Sequence, residues 1–166
     1  MLKSLLMKLE ALFRWEAAAK SAKIARADES HLDGIFEIEK ECFSDPWSLD
    51  SLHYEITCPT SVCMVAMGVG GTVLGFVTMR CMLDEGHILN IAVASSARRQ
   101  GIARQLMEEL FIESGKLGVT CFTLEVRETN AGAIALYEEL GFEVTGRRRN
   151  YYKLPAEDGL VMWRFP

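Results

Sequence analysis

Apolar residues recur along the first half of the chain at two spacings, which predict strands and helices in turn. Residues 23–27 (KIARA) are a short strand candidate, and the next segment has apolar side chains every three to four positions, which predicts a helix. Pro46 ends that region, and Ser48 can cap a second helix. Two apolar, β-rich runs then flank residues 68–71 (GVGG), which is a hairpin signal. The apolar positions of the two helices are Leu32, Ile35, Phe36 and Ile38, then Leu52 and Ile56.

The second half of the chain alternates strands with helices. Residues 86–94 and 118–126 predict strands, and a long helix from about Arg99 to Lys116 lies between them. Asn130 can cap a further helix that runs through Leu140, and Gly141 supplies its stop. Residues 142–152 and 159–165 predict two closing strands. The order β-α-α-β-β-β-α-β-α-β-β indicates one α/β (α+β) domain with a mixed, mostly antiparallel sheet flanked by helices.

The N-terminal segment predicts an amphipathic helix that precedes this domain. Leu2, Leu5, Leu6, Leu9, Leu12 and Phe13 follow helical spacing. Lys8 and Glu10 interrupt the apolar run, so the segment resembles neither a secretion signal nor a membrane span. We expect a helical extension over residues 1–23 and the folded domain over 24–166. The helix either packs on its own domain or docks on another surface.

Composition excludes some classes of function. The chain has 166 residues and a net charge of -5, which disfavours direct nucleic-acid binding and suits a basic partner. It has five cysteines without a CxxC pair, and its three histidines are scattered singly, so we expect no metal site. The cysteines are expected to be free buried thiols in a reducing compartment, which predicts a cytoplasmic protein. The pattern leaves oligomeric state open.

A cationic glycine turn joins the strand at residues 86–94 to the long helix. Arg98, Arg99 and Arg104 surround Gly101 at the helix start. A helix N-terminus has unpaired amides and a dipole that favours negative charge, so the turn suits a phosphate or pyrophosphate. An ordinary glycine turn with exposed arginines is the alternative. Neither G-x-G-x-x-G nor a P-loop is present, since Leu110 stands where the first P-loop glycine would be.

These residues resemble a known family. Arg98-x-x-Gly101-x-Ala103 is similar to the Q/R-x-x-G-x-G/A motif of the GNAT superfamily of N-acetyltransferases, and the resemblance covers about residues 24–165. Residues 124–142 (LEVRETNAGAIALYEELGF), 147–152 (RRRNYY) and 43–48 (FSDPWS) resemble its bacterial ribosomal-protein-alanine N-acetyltransferases. This likeness implies acetyl-CoA as co-substrate without a metal. It implies that the backbone of Ile91, Ala92 and Val93 pairs with the pantetheine arm, and that Asn130 touches the cofactor. The pyrophosphate would be held by Arg99, Gln100, Gly101, Ile102, Ala103 and Arg104. Arg98 is a further cofactor-binding residue of the motif.

Two residues are candidates for the proton transfers of amide formation. Glu125 interrupts an otherwise apolar strand, where burial would raise its pKa toward neutrality. The other interpretation is strand alternation, with Glu125 facing solvent. The resemblance implies instead that Glu125 is the catalytic base, which acts directly or through a water. Tyr137 reads from its neighbours as a core tyrosine. The resemblance implies that its phenol protonates the departing sulfur.

Residues 147–153 (RRRNYYK) form a second cationic cluster beside two aromatic side chains. The pattern is typical of a charged strand edge, and a nucleic-acid surface is the alternative. The resemblance implies that Tyr151 and Tyr152 hold the substrate's backbone. It further implies direct transfer of acetyl, in a ternary complex, to the N-terminal alanine of small-subunit ribosomal protein eighteen. Another amine, such as a lysine or a metabolite, and a coenzyme A-binding module without turnover are the other functions considered.

Overall fold

A computed structural model describes residues 22–166. Most of the predicted N-terminal helix therefore lies outside the described residues. The described chain follows the predicted order of elements. Its strands are β1 Lys23–Arg26, β2 Ser61–Met67, β3 Val73–Met82, β4 Glu85–Val93, β5 Cys121–Arg127, β6 Glu143–Lys153 and β7 Ala156–Arg164; its α-helices are α1 Leu32–Cys42, α2 Leu49–Thr57, α3 Ile102–Gly115 and α4 Ala131–Glu139.

The seven strands form one sheet in the order β1-β2-β3-β4-β5-β7-β6. Among the strands of residues 22–166, only the β4–β5 pair is parallel, and the other neighbours are antiparallel. The predicted mixed, mostly antiparallel sheet is confirmed, and so is the β2–β3 hairpin around residues 68–71. None of the helices in the described part of the chain is long and apolar enough to cross a membrane.

Helices cover both faces of the sheet and bury its apolar side chains. Leu106, Met107 and Leu110 of α3 pack on one face with residues of α4. Ile35 of α1 and Leu52 of α2 pack on the other face. Each predicted N-cap of α2 and α4 is present: the Ser48 hydroxyl accepts from the Ser51 amide, and the Asn130 side chain accepts from the Ala133 amide.

Two expectations about local structure are wrong. Helix α3 begins at Ile102 rather than near Arg99, because Gly101 is its N-cap with a left-handed backbone (φ 78°) and Arg99 also has a positive φ of 63°. The five cysteines are free, but only Cys63 is buried. The others are partly accessible because they lie at strand ends, helix ends and the wall of a cavity.

The parallel pair β4–β5 opens part way along its length. Pairing runs from Glu85↔Cys121 to Ile88↔Leu124 and then stops, although both strands continue. On the other edge of β4 the register shifts between Thr78 and Met79, so one extra β4 residue forms a bulge. A bulge bends its strand and strengthens its twist. Beyond Ile88, the edge of β4 that faces β5 is therefore free of strand pairing.

Candidate active site

A cavity of about 620 Å³ lies where β4 and β5 diverge. Its walls come from both strands, from α4, from the end of α1 with the loop after it, and from the turn between β6 and β7. It brings together most of the predicted site residues outside the glycine turn: Ile91, Glu125, Asn130, Tyr137, Tyr151 and Tyr152. Ala92, Val93 and residues 98–104 follow the open edge of β4 outside this lining. The predicted site is thus a cavity with a neighbouring helix N-terminus.

Glu125 faces the cavity between two cationic or hydrogen-bonding side chains. Strand β5 alternates buried and part-exposed positions, and the Glu125 side chain is only 7 % exposed. Its Oε2 is 2.7 Å from Nε2 of His87 on β4, and its Oε1 is 3.2 Å from a guanidinium nitrogen of Arg148 on β6. Both carboxylate oxygens therefore already have partners.

The pKa of Glu125 is lowered, contrary to the expectation that burial would raise it. The hydrogen bond from His87 is the largest cause, and it outweighs the desolvation that acts in the opposite direction. The charges of His87 and Arg148 lower it further. Glu125 is consequently held as an ionised carboxylate at neutral pH.

Tyr137 projects from α4 into the core and also lines the cavity. Its ring centroid lies 5.9 Å from that of Phe142, and the residue is 5 % exposed. Burial raises the pKa of its phenol, so the hydroxyl stays protonated over the neutral range. A protonated phenol in a cavity wall can donate a proton or a hydrogen bond.

Tyr151 and Tyr152 form another part of the cavity wall. The rings meet edge to face with centroids 5.0 Å apart. Between Arg148 and Tyr152 the β6–β7 register shifts, which bends β6 at this pair. Burial raises the pKa of Tyr152 to about 12, and the Arg127 guanidinium lies 4.2 Å from its ring centroid. The pair supplies aromatic surface and two hydroxyls to the cavity.

Glu39 is a further cavity residue, and one that the sequence did not indicate. Its side chain is fully buried on α1, where it accepts from the Trp47 amide at 3.0 Å and from the Asn90 side chain at 3.0 and 3.2 Å. Desolvation raises the pKa of this carboxyl. Its donors are neutral, so Glu39 adds negative potential to the wall if it is ionised.

The glycine turn presents an uncapped helix N-terminus. Gly101 has no side-chain cap bond, so the first amides of α3 have no partner inside the helix. Arg104 pairs with Glu139 and with Glu108. Arg99 is exposed and has no hydrogen bond or ion pair to residues 22–166. The turn therefore has the amides and one available cation that an anion requires.

The remaining predicted contacts are partly occupied by the protein itself. The Val93 carbonyl accepts from Nε of Arg98 at 3.1 Å and from the Cys42 thiol at 3.6 Å. Gln100 donates to the Ser96 carbonyl at 3.4 Å. Asn130 uses its oxygen to cap α4, which leaves its amide nitrogen for the cavity. In residues 22–166 no cluster of three metal-ligating side chains is present.

Sequence reasoning missed His87, Arg148 and Glu39. His87 stands between Gly86 and Ile88 in a strand, as Glu125 stands between apolar residues in its own strand. This matching alternation was the available signal for His87. The alternation alone does not indicate a contact between the two residues. The β4–β5 register does, because it sets His87 opposite Thr123, two residues from Glu125.

Comparison with known proteins gives consistent results. Residues 32–142 match the model of the Acetyltransferase (GNAT) family. The [ribosomal protein bS18]-alanine N-acetyltransferase of Escherichia coli (strain K12) is 36% identical over 145 residues, covering 82% of this chain and 89% of that protein. The crystal structure of the Escherichia coli ribosomal-protein-S18-alanine N-acetyltransferase has a TM-score of 0.80 at 34% identity, over 87% of this chain and 93% of that one. The Arabidopsis thaliana NAA60 structure in complex with acetyl-CoA shares the fold, with a TM-score of 0.79 at 20% identity over 87% of this chain and 99% of that one.

Proposed function

The chain belongs to the acetyltransferase (GNAT) family, and we propose on that premise that it acetylates the N-terminal alanine of ribosomal protein bS18. It is an acetyl-CoA-dependent N-acetyltransferase. The observation that carries the proposal is that Glu125 and Tyr137 line one cavity at the divergence of β4 and β5. An acidic chain suits a basic ribosomal protein as its partner, and we expect the reaction in the cytoplasm.

The donor side of the site would be the open edge of β4 and the start of α3. Acetyl-CoA supplies a thioester, an acyl group activated for transfer to an amine. The unpaired β4 edge at residues 91–93 suits the amides of a pantetheine arm. The α3 amides and Arg99 suit a pyrophosphate, and Arg98, Gln100 and Arg104 flank it. The amide nitrogen of Asn130 is available to the same ligand.

The catalytic pair would be Glu125 and Tyr137. An α-ammonium group has a pKa of about 8, so it must lose a proton before it attacks. Glu125, the ionised carboxylate of the cavity, promotes that deprotonation either directly or through a group next to it. Tyr137 then protonates the departing sulfur, a role that fits its raised pKa. The acyl group passes directly to the amine without a covalent enzyme intermediate.

The acceptor side would be the wall made by the turn between β6 and β7. Tyr151 and Tyr152 offer hydroxyls to the peptide backbone behind the N-terminal residue. A direct test is incubation of the purified protein with acetyl-CoA and intact bS18. We expect one acetyl group on the N-terminal amine, located by peptide mass spectrometry. Unmodified bS18 after prolonged incubation with active, folded protein would contradict the proposal.

A further inference from the structure

Glu125 alone is a poor acceptor for the proton of the amine. Its Oε2 contacts His87 and its Oε1 contacts Arg148, so a substrate amine meets a carboxylate that already has one partner on each oxygen. The lowered pKa of Glu125 adds a thermodynamic reason, because an effective base has a pKa near the working pH. The proton therefore needs a second acceptor close to Glu125.

His87 has the geometry of that acceptor. It lines the cavity, and its side chain is 39 % exposed, so it contacts both the reaction space and solvent. An ionised carboxylate only accepts hydrogen bonds, so Nε2 of His87 must carry the hydrogen at the 2.7 Å contact. In the neutral imidazole this fixes Nδ1 as the unprotonated nitrogen. Within residues 22–166 no group donates to Nδ1.

We propose that His87 is a catalytic residue whose Nδ1 takes the proton that the acceptor amine loses, while Glu125 stays ionised and orients the ring. The proposal rests on the proposed function and specifies how Glu125 takes part in it. One N–H bond of the ammonium breaks and an Nδ1–H bond forms. The electron pair stays on the amine nitrogen, which becomes the nucleophile. The imidazolium later returns its extra proton to water.

The charges around the ring fit this role. Glu125 favours the imidazolium at hydrogen-bond distance, whereas Arg80, directly opposite His87 on β3, opposes it. Arg80 is largely neutralised by its ion pair with the buried Glu55. Arg148 reaches Glu125 from β6. The other charged or titratable groups that line the cavity with His87 are Glu39, Cys42, Asp45, Arg127, Tyr137, Tyr151, Tyr152 and Lys153. Histidine is the side chain whose ordinary titration lies between pH 5 and 8.

The matched variants are His87→Ala, His87→Gln and His53→Ala. His53 is the control because it also pairs with a carboxylate, Nε2 to Oε1 of Glu29 at 3.1 Å, but lies on exposed α2 outside the cavity. We expect His87→Ala and His87→Gln to lower kcat/KM for an alanine-starting bS18 peptide about 100-fold, the scale of general base catalysis. Coenzyme A affinity should stay as in the wild type, and thermal unfolding should shift only by the loss of the His87–Glu125 hydrogen bond. His53→Ala should match the wild type in activity and in coenzyme A affinity.

Added imidazole separates catalysis from a structural role. It should restore part of the activity of His87→Ala and none of that of His87→Gln, whose side chain fills the space. An unchanged kcat/KM in both His87 variants or an absent rescue would each overturn the inference. A wild-type protein that leaves the peptide unmodified would instead overturn the proposed function, and this inference with it.

Discussion

Glu39 on α1 and Asn90 on β4 are joined by two hydrogen bonds, from the Asn90 amide nitrogen to Oε1 at 3.0 Å and to Oε2 at 3.2 Å. Oε1 also accepts from the Trp47 amide. One buried carboxylate thus holds a helix, a loop and the bulged part of β4 together. These three segments make the wall of the cavity on the face of the sheet that carries α1 and α2.

Glu39→Ala should loosen this wall. The change leaves the Trp47 amide and the Asn90 amide without their acceptor, so we expect the free energy of unfolding to fall by about 2–4 kcal/mol. The KM for the acceptor peptide should rise more than the Kd for coenzyme A. Urea unfolding and steady-state kinetics measure the two effects. Glu37→Ala, on the exposed side of the same helix, should change stability by less than about 0.5 kcal/mol; equal losses in both variants would contradict the assignment.

Glu39 and Glu125 should affect stability with opposite dependence on pH. The pKa of Glu125 is lowered, so its contribution is present above its ordinary value of 4.5 and is lost as the pH falls through the folded pKa. The pKa of Glu39 is raised, so its contribution to stability is most favourable below pH 4.5. That contribution falls as the pH rises through the pKa of the folded state.

The two glutamine variants expose this difference. Relative to the wild type, Glu125→Gln should be least stable at neutral pH, and its deficit should shrink as the pH falls below 4.5. The stability of Glu39→Gln relative to the wild type should instead improve as the pH rises above 4.5. Urea unfolding over a series of pH values tests both. Parallel curves for the two variants would show that the burial of Glu39 does not control its titration.

Tyr137→Phe should remove the proton donor while keeping the fold. Within residues 22–166 the Tyr137 hydroxyl has no hydrogen-bond partner, so its loss should leave thermal unfolding close to the wild type. We expect kcat to fall about 100-fold with little change in the Kd for coenzyme A. Tyr54→Phe on the exposed side of α2 is the control. Full activity of Tyr137→Phe would remove Tyr137 from the mechanism.

Gly101→Ala tests the anion cradle at the start of α3. Gly101 has a φ of +78°, so a side chain should cost about 1–2 kcal/mol of backbone strain even though a Cβ would meet only open space and Gln105. The free variant should relieve that strain by moving the amides of the cradle, and binding must restore their position. We therefore expect the Kd for coenzyme A to rise by about tenfold, since a tenfold change corresponds to about 1.4 kcal/mol. Gly115→Ala, at the other end of the same helix, has neither a positive φ nor a close neighbour. Its Kd should match the wild type in an isothermal titration, and an equal Kd in both variants would contradict the cradle.

Much of the fold is readable from the sequence because its signals are local. The hairpin at residues 68–71 and the caps at Ser48 and Asn130 depend on neighbouring residues, and all are present. The start of α3 was predicted three residues too early. Apolar periodicity could not reveal that Gly101 turns left-handed before the helix begins.

The chemistry of the site was less readable because it depends on distant partners. Glu125 and His87 are 38 positions apart in the chain, and only the parallel β4–β5 register brings them together. Considering burial alone gave the wrong direction for the pKa of Glu125. The correct direction follows from His87 and Arg148, which reach it from two other strands.

The selectivity of acetyl transfer tests the central claim most directly. The protein is incubated with acetyl-CoA and equimolar peptides: the alanine-starting bS18 N-terminus, the same peptide with a blocked N-terminus and an internal lysine, and a version that starts with proline. Mass spectrometry locates each acetyl group, and the amount of coenzyme A released is measured in the same reaction. We predict one coenzyme A per acetyl group on the free N-terminal alanine, with the blocked peptide unmodified. Acetylation of the lysine in the blocked peptide, or coenzyme A binding without acetyl transfer to any peptide, would contradict the account.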